Sequence, residues 1–174
     1  PPEVVSGDGW HFFSAEEAAA VEAIVARLIP GDELSVSGKE AGCAMFIDRQ
    51  LAGTYGSYEK LYIQGPFQPG TEQQGDQSEL TPRQRYRTGL AGLNKFCMQT
   101  EKQPFSKLPP EKQDEILTKL QKSQIEIENI DAKTFFMIVH QNTMEGFFSD
   151  PIYGGNRDMA SWKMLGFPGA RYDY

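Results

Sequence analysis

An all-α fold, a single irregular bundle of five to six helices with long loops, is predicted by three features of this sequence. Apolar residues recur at helical spacing in several segments that begin and end with recognisable caps and stops. No convincing strand is present: Ser123–Ile130 (SQIEIENI) alternates, but a lone strand has nothing to pair with, so it reads as a helix continuation or an extended linker. No run approaches the ~18 consecutive apolar residues of a membrane span. The 174 residues suit one domain over residues 1–174, with an extended arm at 1–11, a long loop at 64–80 and an irregular, aromatic-rich tail at 149–174.

The first helix opens at Ser14-Ala-Glu-Glu17, which reads as a capping box. Val21, Ile24, Val25 and Leu28 then form one apolar face, and Pro30-Gly31 stops it. A second helix is expected over Lys39–Ala52, burying Cys43, Phe46, Ile47 and Leu51 and ending at Gly53, with a short helical turn around Ser57–Leu61. Residues 64–80 are rich in Gly, Pro, Gln and acids and have no period. The lone aromatic there, Phe67, is either an anchor on a neighbouring surface or part of a solvated loop. Thr81-Pro82 is an N-cap with proline at the first helical position. The helix it opens places Tyr86, Leu90, Leu93 and Cys97 on one face. Arg83, Arg85 and Arg87 lie in its first turns, where the helix dipole disfavours cations. They point either to acidic neighbours or, more plainly, to a solvated basic face. A helix from Pro110 turns Ile116, Leu117 and Leu120 inward. Another, capped by Asp131, carries Phe135, Phe136, Val139, Met144 and Phe147 and stops at Ser149-Asp-Pro151. A last short helix is expected over Asp158–Leu165.

The net charge of −7 is unevenly placed: residues 1–80 hold 13 acids and 4 bases, residues 81–174 hold 11 acids and 13 bases. An acidic chain of this kind is a poor match for nucleic acid or an anionic membrane. Catalytic, cofactor and metal patterns are missing from the sequence. His140 has Phe136 and Met144 one turn to either side, where a metal site would need further donors, so it reads as a packed or capping histidine. Glu145 and Asp150 are imaginable as an acid–base pair, but they fall at a helix end and its stop, where Asp-Pro is ordinary turn chemistry. A stand-alone helical enzyme using His140 and these carboxylates is the alternative reading. No C-x-x-C-H haem attachment sequence and no phosphate-binding glycine loop occurs. Cys43 and Cys97 each sit on an apolar stripe. They are either a disulfide, two buried inert thiols or a link to a partner chain.

The tail is the distinctive part. Phe147, Phe148, Tyr153, Trp162, Phe167 and Tyr172 are interspersed with Met159, Met164 and glycine pairs, a composition enriched in interface cores. The stretch TMEGFFSDPIYGGNRDMASWKMLGFPGA (143–170) resembles the C-terminal signature of the gluconate 2-dehydrogenase subunit 3 family. The segments FFSAEEAAAVEAIVARLIPGDE, EAGCAMFIDRQLAG and LTPRQRYRTGLAGLN fit as well, so the resemblance spans about residues 12–170. It implies a non-catalytic small subunit that carries no cofactor. Its partner would be a large FAD-containing subunit of the glucose–methanol–choline type that oxidises a sugar or sugar acid. A multihaem cytochrome c subunit would be a possible third member. It also implies a periplasmic complex at the cytoplasmic membrane and twin-arginine export, with which a chain beginning at Pro1 rather than methionine is consistent. In that oxidising compartment a Cys43–Cys97 disulfide is expected. The implied docking residues are Phe67, Phe147, Phe148, Tyr153, Met159, Trp162, Met164 and Phe167.

Overall fold

The structure, a computed structural model, describes residues 9–59, 65 and 79–168. Seven α-helices are found there, with no strand among the described residues: α1 Ala15–Leu28, α2 Cys43–Ala52, α3 Thr54–Ser57, α4 Pro82–Thr100, α5 Pro110–Gln121, α6 Ala132–Phe148 and α7 Ala160–Leu165. Short 3-10 turns lie at Phe105–Lys107, Pro151–Tyr153 and Arg157–Met159. The all-α expectation holds. Much of the expected loop at 64–80, with Phe67, lies outside the described residues, as do the first eight residues, 169–174 and hence Tyr172.

Local chemistry starts the helices where the sequence places their caps. Ser14 and Glu17 form the expected reciprocal box on α1, Thr81 and Gln84 form another on α4, and Asp131 accepts from the Thr134 amide at the start of α6. α2 starts four residues later than expected. Gly42 adopts φ +81°, a left-handed conformation that breaks any helix begun at Lys39, so residues 39–42 form turns instead. α3, Thr54–Ser57, precedes the turn expected around Ser57–Leu61 and shares only Ser57 with it; residues 60 and 61 lie outside the described residues.

One core joins the elements. Val21, Ile24 and Val25 of α1 meet Cys43, Ile47 and Leu51 of α2, Tyr86, Leu90 and Leu93 of α4, Ile116 and Leu120 of α5, and Phe135 and Val139 of α6. Burying each large apolar side chain contributes about 1.5–3 kcal/mol. Two helices approach closely through glycine: a Cβ on Gly89 of α4 would lie 2.1 Å from the Phe135 ring of α6. Residues 123–130 are neither strand nor helix. They form turns and bends whose alternation still serves burial: Ile125 and Ile127 pack inward, and Ile127 fills the space over Gly92. Met144, expected in the stripe of α6, is exposed. Asn142 and Thr143 take the buried positions beside it.

A buried carboxylate ties the N-terminal segment to this core. Asp48 of α2 is fully buried and accepts from three consecutive backbone amides, those of His11 (2.7 Å), Phe12 (2.9 Å) and Phe13 (2.8 Å). The end of the expected arm is therefore packed rather than free: Phe13 joins the core, and Trp10 and Phe12 lie against it. Arg87 closes the same corner. Its guanidinium donates to the Phe12 carbonyl at 2.6 Å, pairs with Glu17, and lies 4.1 Å over the Phe12 ring. Arg83 donates to the Leu51 and Ala52 carbonyls, both at 2.6 Å, at the C-terminal end of α2, where a cation complements the helix dipole. Arg85 is buried and donates to the Leu80 carbonyl. The solvated basic face is thus corrected: the three arginines reach chiefly for carbonyl oxygens, with Glu17 the acidic neighbour of Arg87.

The disulfide expectation is corrected too. Cys43 and Cys97 are both free and buried. Burial pushes the Cys43 thiol up to about 12 and, with the charge of Glu101 adding to it, the Cys97 thiol up to about 11. Both are neutral, unreactive thiols at physiological pH.

Two outcomes test these contacts. Asp48→Ala strands three inward-facing amides and lowers unfolding free energy by about 3 kcal/mol or more in urea denaturation. Both cysteines label with a thiol-specific disulfide reagent at pH 8 only after denaturation. Rapid labelling of the native chain contradicts their burial.

Candidate partner-docking surface

The tail begins where α6 stops. Ser149 is the C-cap of α6, and Asp150 accepts from the Ile152 amide at 3.0 Å to open the 3-10 turn Pro151–Tyr153. Gly154, at φ +95°, then turns the chain back across α2 and α6. The approach is close: a Cβ on Gly42 would lie 2.6 Å from the Gly154 carbonyl oxygen, and one on Gly155 would lie 2.1 Å from that of Gly146. The Arg157 amide donates to the Ala41 carbonyl at 2.9 Å and fixes the return. The Gly-Gly pair of the tail therefore lets backbone pack on backbone.

Asn156 organises the segment after this turn. It is fully buried and left-handed at φ 43°, a conformation asparagine tolerates better than most residues. Its Nδ2 donates to the Ser149 carbonyl at 2.9 Å. Its Oδ1 accepts from the Ser161 amide at 2.9 Å and the Ser161 hydroxyl at 2.8 Å. One side chain thus joins the end of α6 to the start of α7. Asp158 and Met159 are also left-handed, with φ 57° each. That kink splits the single helix expected over Asp158–Leu165 into the turn Arg157–Met159 and the shorter α7. Trp162 donates from its indole nitrogen to the Phe148 carbonyl at 3.2 Å and meets Phe167 edge to face at 5.1 Å.

The tail presents apolar side chains outward, interspersed with the exposed charged residues Arg157, Asp158 and Lys163. Phe148, Ile152, Tyr153, Met159, Met164, Leu165 and Phe167 are all exposed, between 37% and 64%. Of the residues the sequence nominates for docking, Phe148, Tyr153, Met159, Met164 and Phe167 are exposed, and Trp162 is half-buried. Phe147 does not join them: it is 3% exposed and belongs to the core, which corrects its assignment to the surface. Ile152 and Leu165 are members that reading missed, since attention to aromatic and methionine residues passes over them. Leu34 and Val36 are exposed across a cleft of about 1180 Å³ from Met164. The Asp32 carboxylate holds that loop by accepting from the Leu34 and Ser35 amides.

The polar residues nominated for chemistry do not assemble. His140 is exposed and stacks on Phe136 with ring centroids 6.0 Å apart. Glu145 accepts from the Gln141 amide side chain, and Asp150 caps the turn after α6. Glu145 and Asp150 do share one open hollow of about 550 Å³, from which His140 is absent. The buried polar cluster that the stand-alone enzyme reading requires of these three residues is not formed. A buried polar group does exist elsewhere: Asn142 donates to the Tyr86 hydroxyl at 3.0 Å and lies 3.4 Å from that of Tyr55. Burial raises both phenols from their ordinary values, so they stay protonated. Among the described residues no group of three or more His, Cys, Asp or Glu side chains is placed to hold a metal ion, and no helix is long and apolar enough to cross a membrane.

Comparison with known proteins agrees with this picture at the level of family. No significant match was found among curated proteins or among solved structures. A family model described as gluconate 2-dehydrogenase subunit 3 matches residues 15–169, from the first residue of α1 to just past Phe167. The matched region takes in both the core and the exposed tail, and the chain belongs to the gluconate 2-dehydrogenase subunit 3 family, as a subunit of a dehydrogenase complex.

Proposed function

We propose that this chain is the non-catalytic small subunit of a periplasmic, membrane-associated, FAD-dependent dehydrogenase that oxidises a sugar or sugar acid. Its role is to dock, fold and stabilise the large flavoprotein subunit and to accompany it through export. The observation that carries this reading is the tail: an ordered scaffold, held by Asn156 and the glycine contacts, that exposes seven large apolar side chains. Large apolar side chains left exposed in one segment of a folded domain favour a binding role, and obligate interfaces bury upward of roughly 2,000 Å² in all. Chemistry would reside in the partners, FAD in the large subunit and haem c in a possible cytochrome subunit. This chain has no C-x-x-C-H sequence with which to attach haem. Attachment to the cytoplasmic membrane would run through the complex.

The test is native mass spectrometry of the chain purified gently from its source, alongside tail variants. The wild-type chain co-purifies with a larger, yellow, FAD-bearing protein. Leu165→Asp combined with Phe167→Asp lowers that association at least about tenfold, as loss of a hot spot does, with the melting temperature of the isolated chain lowered only slightly, since both side chains are exposed and only the Phe167–Trp162 ring contact is lost. Full association of the doubly charged variant removes the tail from the interface.

A further inference from the structure

The tail is seated on the helical core without entering it. Among the described residues after Pro151, the buried positions are Gly155, Asn156 and Ser161, and the core, with the partly buried hydrophobics packed against it, ends at Phe147. α7 accordingly has one buried residue, the polar Ser161, whereas α1, α2, α4, α5 and α6 each bury several apolar side chains. What holds the tail is polar. Asn156 bonds the Ser149 carbonyl, the Ser161 amide and the Ser161 hydroxyl. The Arg157 amide bonds the Ala41 carbonyl, and the Trp162 indole bonds the Phe148 carbonyl at an exposed position. The local backbone works against these bonds: Asn156, Asp158 and Met159 are left-handed, at φ 43°, 57° and 57°, a region that residues other than glycine enter at a cost.

Hydrogen bonds are exchanged for bonds to water when a segment opens, so each one adds little net stability, and a segment without buried apolar side chains opens more readily than the core beneath it. Resting for its purpose on the docking role argued above, we infer that residues 156–167 open from the core as a separate unit, latched by the single side chain of Asn156, and that the large subunit takes the seated form. Opening breaks no apolar core contact, so α1–α6 stay folded while the tail is released. Asn156 is fully buried and does not touch a partner in the seated form. It is a positioning residue: it sets the fraction of chains that present Met159, Met164, Leu165 and Phe167 in one geometry. A partner that binds only that geometry binds more weakly as the fraction falls.

Hydrogen exchange of the full chain, followed by mass spectrometry on peptides from 156–167 and from α1, α4 and α6, tests the latch without a partner. After correction for intrinsic rates, the tail amides exchange at least about tenfold faster than those of the core helices. Asn156→Ala speeds tail exchange by about a further tenfold and leaves the core helices unchanged. Asn156→Gly separates the side-chain bonds from the backbone conformation: glycine adopts the left-handed region freely but makes none of the three bonds, so it releases the tail as alanine does. Tail protection equal to that of the core in the wild type overturns the proposal. So does a uniform loss of protection or global unfolding in Asn156→Ala, which would make the tail part of one cooperative unit. Wild-type protection in Asn156→Gly overturns it as well, since the backbone and not the side chain would then be the latch. In the complex, Asn156→Ala weakens association with the large subunit by about tenfold. Normal or tighter association, with the Leu165→Asp, Phe167→Asp variant still impaired, overturns the seated form as the one bound. Failure of the docking role is distinguishable: both variants then associate normally, and the exchange results stand.

Discussion

The carboxylate of Asp48 is the constraint around which the described structure is arranged. A fully buried charge is costly unless its lone pairs are met, and here three successive amides from residues 11–13 meet them. The segment before α1 therefore has little choice of path. Once it is bound, Phe13 enters the core against Tyr86, the Phe12 carbonyl is presented to Arg87, and Ser14 is delivered to cap α1. One side chain of α2 thus sets the position of α1 and, through Arg87, of α4. Arg83 adds a second link between α4 and α2 by bonding the last carbonyls of α2.

The tail obeys a related logic with neutral groups. Asn156 satisfies three polar groups from inside, and the glycines at 42 and 155 remove the side chains that would keep backbones apart. Meeting these polar requirements internally leaves the segment free to turn apolar side chains outward. Such a surface is unfavourable in water for an isolated chain and favourable for one that works inside a complex, which is the situation implied by membership of a dehydrogenase subunit family.

A small subunit of this kind contributes geometry. Its long helices make a core that does not depend on a disulfide, since Cys43 and Cys97 are packed as small apolar residues. Its left-handed residues at 156, 158 and 159 aim a short helix and its apolar side chains outward. Strain of this sort persists where surrounding contacts over-determine the backbone, and the bonds of Asn156 and Ser161 do that here.

The sequence by itself determined the helices, their caps, most of the inward stripes and the family, because these rest on local periodicity, on three- and four-residue capping patterns and on a distinctive tail composition. It also singled out Phe148, Tyr153 and Phe167, which the structure leaves exposed. Tertiary structure alone decided the rest. That Asp48 is an anchor, that Arg83 and Arg87 bond the carbonyls of distant segments, and that Phe147 turns inward while Phe148 turns outward depend on which groups meet across 14 to 75 residues of chain. A side chain's partner at that range is fixed by packing of the whole core, and the local pattern around an aspartate or an arginine is the same whether it meets water or a buried amide.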